Sequence, residues 1–192
     1  MGNIKNILFV GVGGQGTILA SKIFTEGLME YGYDVKMSEV HGMAQRGGSV
    51  VTQVRYGEKV YSPLIEKGTV DVIVSFEKIE AARWLDYLKE DGTIIVNDYE
   101  IRPVTVLIGG ETYPENIINE LMEKNIHLKT INAYETAKSI GNFKVQNSIL
   151  LGALVRACDL EKINWSEIIK RNVNAKFFDL NSKAFNLGVN LK

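Results

Sequence analysis

Two stretches hold most of the residues able to do chemistry. The first is GVGGQGT, Gly11 to Thr17, and the second is EVHGMAQRGGSV, beginning at Glu39. In the first, Gly11, Gly13 and Gly16 match the pattern G-x-G-x-x-G, with Gly14 and Gln15 inside it and Thr17 directly behind. Glycines at this spacing allow a tight turn and a close backbone approach to a ligand. A helix opening behind them offers unpaired N–H groups and a partial positive charge to an anion. In the second stretch, Glu39, His41, Gln45 and Arg46 are interleaved with Gly42, Met43, Gly47 and Gly48. Arg46 can hold a carboxylate or phosphate by two hydrogen bonds, His41 can move a proton near neutral pH, and Met43 is an adaptable apolar contact. Titratable, polar and conformationally permissive residues concentrated in this way suit a ligand or partner surface on positioned loops.

Each feature also has a plainer reading. The glycines can simply turn a strand into a helix, His41 can bond to backbone in a loop, Arg46 can pair with Glu39, and Gly47-Gly48 can turn into the next strand. A dinucleotide site is a further option, since Glu39 lies near the distance at which an acid holds a ribose hydroxyl. A P-loop is excluded, because Thr17 stands where the phosphate-bridging Lys is needed, and Lys22 reads as a surface residue. The dinucleotide option is weakened by the stretch after Glu39, a glycine-studded loop rather than a helix. No later segment looks like a substrate domain with a catalytic pair.

The elements that must position these loops are read from hydrophobic periodicity. IKNILFV reads as a buried strand, ILASKIFTEGLMEYG as a helix capped by Thr17, and YDVKMSE as a second strand, a βαβ unit that predicts a parallel pair. SVVTQVRYG and KVYSPLI, joined by GE, predict an antiparallel hairpin. VDVIVSF is a strand, EKIEAARWLDYLKEDG a helix to Gly92, TIIVND a strand, VTVLI a further strand, YPENIINELMEKN a helix opened by Pro114, IHLKTIN a strand and AYETAKSIG a short helix. The remainder is helical, with Gln146 and Asn147 at the start of the helix QNSILLGAL, where they can cap the helix or reach the loop site; capping is the expectation. The expected fold class is α/β: a Rossmann-like layered domain over residues 1–192, with a mixed, mainly parallel sheet, a β-hairpin insert and a helical C-terminal tail.

Composition limits the function classes. The 192 residues carry 22 basic and 23 acidic side chains, without the basic excess expected of a nucleic-acid or anionic-membrane partner. A lone cysteine, Cys158, points to a reducing, cytoplasmic setting and cannot hold an iron–sulfur cluster, which takes about four thiolates. His41 and His127 are far apart in sequence, so no metal site is expected. The apolar run before Gly11 is too short for a signal-peptide core or a membrane span.

GVGGQGTILASKI together with EVHGMAQRGGSVVTQVRYG resembles the gamma-type domain of 2-oxoacid:ferredoxin oxidoreductases, and within that family the indolepyruvate-type branch. The second motif is the specific one, and SPLIEKG, FEKIEAARWLDYL, IIVND, YPENII, QNSILLGAL and NSKAFNLG extend the resemblance over nearly the whole chain. The resemblance implies a small subunit without a redox centre. A large alpha subunit would carry thiamine diphosphate, magnesium and iron–sulfur clusters. The complex would decarboxylate an aryl-pyruvate oxidatively, with coenzyme A as cosubstrate and ferredoxin as acceptor. The ligand- or partner-facing residues of this chain would be Gly11, Gly13 to Thr17, Glu39, His41, Gly42, Met43 and Gln45 to Gly48, none of them assigned a catalytic role.

Overall fold

The computed structural model describes residues 4–41, 48–124 and 126–191. Strand β1 (Lys5–Val12) lies between two helical layers. Ile7 and Phe9 enter the core on one face, Leu8 and Val10 the core on the other, and all four are fully buried. A strand covered on both sides reads as a continuous apolar run rather than an alternating one. Helix α1 (Thr17–Glu30) comes directly after the glycine turn. Its cap is Gly16, in the left-handed region at φ 84°, with no side-chain cap; Thr17, expected as the cap, is the first helical residue.

Strand β2 (Asp34–His41) turns back into β3 (Ser49–Gly57), which pairs antiparallel with β2 on one edge and with β1 on the other. The expected parallel neighbours β1 and β2 are therefore separated by β3. Burial fits the order: β3 buries Val50, Val54 and Tyr56 on one face and Val51 on the other, where Gln53 and Arg55 bond to neighbouring segments. Strand β2 carries Asp34, Lys36 and Glu39 and takes the edge. The hairpin expected between residues 49–57 and 59–65 does not form, because both edges of β3 are already taken. Residues 58–66 run outside the sheet instead. They are fastened by Val60 N–H to Asp34, Ile65 N–H to Gln53, and Arg55 Nη1 to the Ser62 and Leu64 carbonyls. The antiparallel pair of consecutive strands in this fold is β2–β3.

Strand β4 (Val70–Ser75) pairs parallel with β1. Helix α2 (Lys78–Arg83) ends nine residues short of the expected Gly92, and β5 (Leu88–Asn97) begins inside the predicted helix. Leu88 already pairs with Val70, and a register shift before Val72–Thr93 absorbs the extra residues, with Asp91 at φ 54°. Residues Val104–Leu107, expected as a strand, form a short helix, α3, because the outer edge of β5 is taken by β6 (His127–Ile131). Helix α4 (Ile117–Met122) starts three residues after Pro114. Helices α5 (Ala133–Ser139), α6 (Gln146–Ala157), α7 (Trp165–Asn172) and α8 (Phe178–Val189) complete the chain.

The sheet order is β2-β3-β1-β4-β5-β6, and β3 alone among the described strands runs against the others. Helices α1 and α5 to α8 pack on one face, α2 and α4 on the other. Helix α6 is buried from Gln146 to Val155 because α8 lies across its outer side. That crossing depends on two glycines: a Cβ on Gly152 would stand 2.1 Å from the Phe185 carbonyl oxygen, and one on Gly188 1.9 Å from that of Ile149.

Candidate functional site

The carboxyl ends of β1, β4 and β5 meet at one edge, where open α/β sheets take ligands. The hub is the carbonyl of Phe76, just beyond β4. Gln15 Nε2 donates to it at 2.8 Å and Asn97 Nδ2, from the end of β5, at 3.2 Å. Gln15 Oε1 accepts the Val12 N–H at 2.7 Å. Asn97 also donates to Gln146 Oε1 at 3.0 Å and accepts the Ala133 N–H at 3.0 Å. Two carboxamides thus tie the glycine turn to the ends of β4 and β5 and to the starts of α5 and α6. Both are buried, so every polar atom they satisfy would otherwise be stranded away from water.

This corrects two expectations. Gln15, expected to face a ligand or partner, points inward and holds the turn in shape, and Thr17 is buried as well. Gly11 is needed for that packing: a Cβ there would lie 2.9 Å from Gln15 Oε1, Phe76 Cβ and Thr17 Cγ2. Gln146 and Asn147 do not cap α6 from its N-cap position, which is Val145. Gln146 joins the Asn97 network, and Asn147 lies against Gly16, where a Cβ would come within 2.8 Å of its Nδ2.

The backbone of the turn is partly committed too. Gly13 N–H donates to the Gly48 carbonyl at 2.9 Å and Gln15 N–H to that of Val12 at 3.2 Å. The amides of Gly14 and Gly16 have no partner among the described residues. Gly14 is exposed at φ 100°, with open space where a Cβ would be. The Gly13–Gly48 bond joins the two glycine loops, so the adjacency read from the sequence is present. The far foot of the second loop is fixed by Ser49, whose hydroxyl donates to the buried Glu80 carboxylate at 2.5 Å; Arg83 Nε pairs with the same carboxylate at 3.2 Å.

Glu39 stands opposite Thr52 on β2, and the backbone of His41 pairs with Val50. With β3 interposed, β2 lies two strand spacings from β1, about 9–10 Å, so Glu39 is not where an acid meets the ribose of a dinucleotide. Gly42, Met43, Gln45, Arg46 and Gly47 lie outside the described residues.

Sequence reasoning missed Glu77. This carboxylate is fully buried without a cation among its bonding partners. It accepts the N–H groups of Ile79 (2.7 Å), Glu80 (3.2 Å) and Ile101 (3.2 Å) and the Tyr113 hydroxyl, capping α2 and fastening the segment after β5 to the same edge. Burial raises its pKa, against the pull of those four donors. Burial also raises Tyr113, with the Glu77 carboxylate beside it adding to the effect. The available signal was an acid placed between the apolar run VIVSF and a helix. The described part of this edge therefore offers backbone donors at a helix N-terminus, while its carboxylates, Glu77 and Glu80, are buried and partnered. Cys158 lies elsewhere, and burial pushes its thiol up to about 12, which keeps it protonated at neutral pH. Among the described residues, no group of three or more His, Cys, Asp or Glu is placed to hold a metal, and no helix is long and apolar enough to cross a membrane.

The chain that builds this edge belongs to the pyruvate ferredoxin/flavodoxin oxidoreductases, a family whose model matches residues 6–191. Within it, the chain is 40% identical over 189 residues to indolepyruvate oxidoreductase subunit IorB of Pyrococcus horikoshii, covering 96% of this chain and 94% of that protein. It is 29% identical to the common gamma subunit of the pyruvate/ketoisovalerate oxidoreductases of Pyrococcus abyssi, over 93% and 91% of the two chains. The solved gamma subunit of a keto/oxoacid ferredoxin oxidoreductase from Geobacter sulfurreducens superposes with a TM-score of 0.70 at 26% identity, over 96% of this chain and 95% of that one.

Proposed function

We infer that this chain is the small, non-redox subunit of an indolepyruvate-type 2-oxoacid:ferredoxin oxidoreductase. The observation that carries the reading is 40% identity, nearly end to end, to a protein of that name, against 29% to the pyruvate/ketoisovalerate relative. The reaction is the oxidative decarboxylation of an aryl-pyruvate with coenzyme A and ferredoxin to an acyl-CoA. The chain acts as one gamma-type domain over residues 1–192, in the cytoplasm, beside a larger subunit that supplies thiamine diphosphate, magnesium and iron–sulfur clusters. The donor set of this chain does not suit an iron–sulfur cluster: there is one cysteine where a cluster takes about four thiolates, and its thiol is pushed up to about 12.

Its own contribution is geometric and electrostatic. In this reading the Gly14 and Gly16 amides meet an anionic group; that they have no partner among the described residues and lie at the N-terminus of α1 supports it. Arg46, two residues before the anchored Gly48, is the side chain best suited to a carboxylate or phosphate there. Gln15, Asn97 and Glu77 act behind them by holding the turn and its neighbours in place. In this reading His41, Met43 and Gln45 are further ligand- or partner-facing residues.

The division of labour is tested by assaying indolepyruvate oxidation with the chain alone and with its large subunit. Turnover is expected of the complex only, and turnover by the isolated chain would overturn the reading. Arg46→Ala in the complex is expected to raise KM for indolepyruvate or coenzyme A more than it lowers kcat. A parallel fall in assembly and kcat with KM unchanged would instead make the loop a purely structural contact. Equal kcat/KM for pyruvate and indolepyruvate would move the chain to the broader 2-oxoacid class.

A further inference from the structure

A second concave region lies on the outer side of the glycine turn, bounded by α1, the start of α6 and the connection from α7 to α8. It encloses about 440 Å³, within the range of small-molecule pockets. Its walls are rich in carboxamides, and none of its lining residues is acidic. We propose that this cleft is a binding site for a small organic oxyanion, a phosphate or carboxylate borne on a compact apolar body.

The deciding feature is which end of each carboxamide is free. Asn142 Oδ1 accepts the Lys144 N–H at 3.0 Å, Asn147 Oδ1 accepts the Ser148 N–H at 2.9 Å, and Asn174 Oδ1 accepts the Lys176 N–H at 3.1 Å. A backbone N–H can be satisfied only by the oxygen, so these bonds fix the orientation of all three amides. Each Nδ2 is then turned the other way, and none has an acceptor among the described residues. Asn147 is only 5% exposed as a residue, so its side chain is held largely within the wall. It is held there by packing against Gly16, where a Cβ would crowd it at 2.8 Å. The Lys144 ammonium makes no ion pair among the described residues and adds a positive charge to the same wall.

The remaining two asparagines behave differently. Asn172 Nδ2 donates to Glu26 and to the Ile168 carbonyl, and Asn181 Nδ2 donates to the Phe177 carbonyl. They close the wall and leave the donor surplus to the first three. A site with oriented donors and a cation selects a ligand that only accepts, a deprotonated oxyanion over an alcohol or an amine. Leu19, Val173 and Phe177 add apolar surface for the body of the ligand, and Phe177 remains 40% exposed. This site rests on side chains, unlike the amide edge of the glycine turn, and stands whether or not the indolepyruvate reading does.

The test is a titration of the full, ¹⁵N-labelled chain with phenyl phosphate, phenylacetate and neutral benzyl alcohol, read on the side-chain NH₂ resonances of the asparagines. Saturable shifts of Asn142, Asn147 and Asn174 are expected with at least one anion, weakened by added salt, and none with benzyl alcohol. The tighter-binding anion distinguishes a phosphate site from a carboxylate site. Asn142→Asp and Asn174→Asp retain the oxygen that caps the backbone but remove a donor and add a negative charge. Each is expected to weaken binding about tenfold or more, with the melting temperature little changed. Absence of shifts, equal shifts with benzyl alcohol, or unchanged affinity in the Asp variants would overturn the proposal. The titration of the unaltered chain decides the matter even if a variant fails to fold. If no probe binds but Asn174→Asp lowers recovery of the large subunit, the cleft receives an acidic side chain of that protein, and the small-anion site is wrong.

Discussion

The glycines of the turn and the glycines of the α6–α8 crossing are the same residue used for different physical reasons. At Gly14 and Gly16 the backbone is left-handed, φ 100° and 84°, and the need is conformational. At Gly152 and Gly188 the need is proximity: the missing Cβ lets one helix backbone touch another. The two needs differ in how a change is absorbed. A strained turn at the surface can relax toward solvent, and a neighbouring side chain can move. Two packed helix backbones have nothing between them that can rotate away.

Gly188→Ala tests this contrast most severely. The added Cβ meets the Ile149 carbonyl oxygen at 1.9 Å and its carbon at 2.8 Å. A loss of about 3 kcal/mol or more is expected, read as a fall of roughly 6–12 °C in melting temperature. Glu77→Gln ranks next, at about 2 kcal/mol, because the amide keeps one acceptor oxygen and sets an NH₂ donor where the other oxygen accepted hydrogen bonds. It also changes the pH profile. A carboxyl whose folded pKa is raised binds its proton more readily in the folded state. The stability it contributes is complete below its ordinary value of 4.5 and is lost as pH rises through the raised folded value. Urea midpoints measured across that interval should decline in the unaltered chain and lose that component in Glu77→Gln.

Gln15→Leu keeps the volume but strands the Val12 N–H and removes one donor from the Phe76 carbonyl, for a cost of about 1–2 kcal/mol by urea denaturation. The smallest effects separate the two glycines of the turn from each other. Gly16→Ala and Gly14→Ala should each cost about 1–2 kcal/mol for the left-handed backbone. Only Gly16 also meets Asn147, so a double-mutant cycle with Asn147→Ala should show coupling for Gly16 and none for Gly14. Equal coupling at both would mean that Asn147 does not pack as described.

Sequence legibility tracked the range of the forces involved. Strands such as ILFV and VIVS were readable because a strand covered on both faces must be apolar throughout, and α1 because its periodicity and its glycine boundaries are local. The hairpin was misplaced because pairing is decided by which edges remain free, and both edges of β3 are occupied by strands separated from one another in sequence. The run after Arg83 was misread because a helical pattern and a bulged strand place apolar residues similarly over so few positions. At the site, the glycines and Arg46 were visible by type. Gln15 was visible but its direction was not, since its partner, Phe76, is sixty-one residues away. Asn97 and Glu77 gave weak signals because a lone Asn or Glu at a strand end has many ordinary uses.

Residue types and short spacings were enough for the α/β class, the glycine turn after the first strand, the family resemblance carried by EVHGMAQRGG, and the shortage of thiolate ligands. The chain displays all of these directly. Folding was needed to settle that β3 enters between β1 and β2, that Gln15 holds the turn from inside, that Gly13 binds Gly48, and that asparagines far apart in sequence line one cleft. Those outcomes depend on which distant groups compete for the same edge or the same carbonyl, and that competition exists only once the chain is folded.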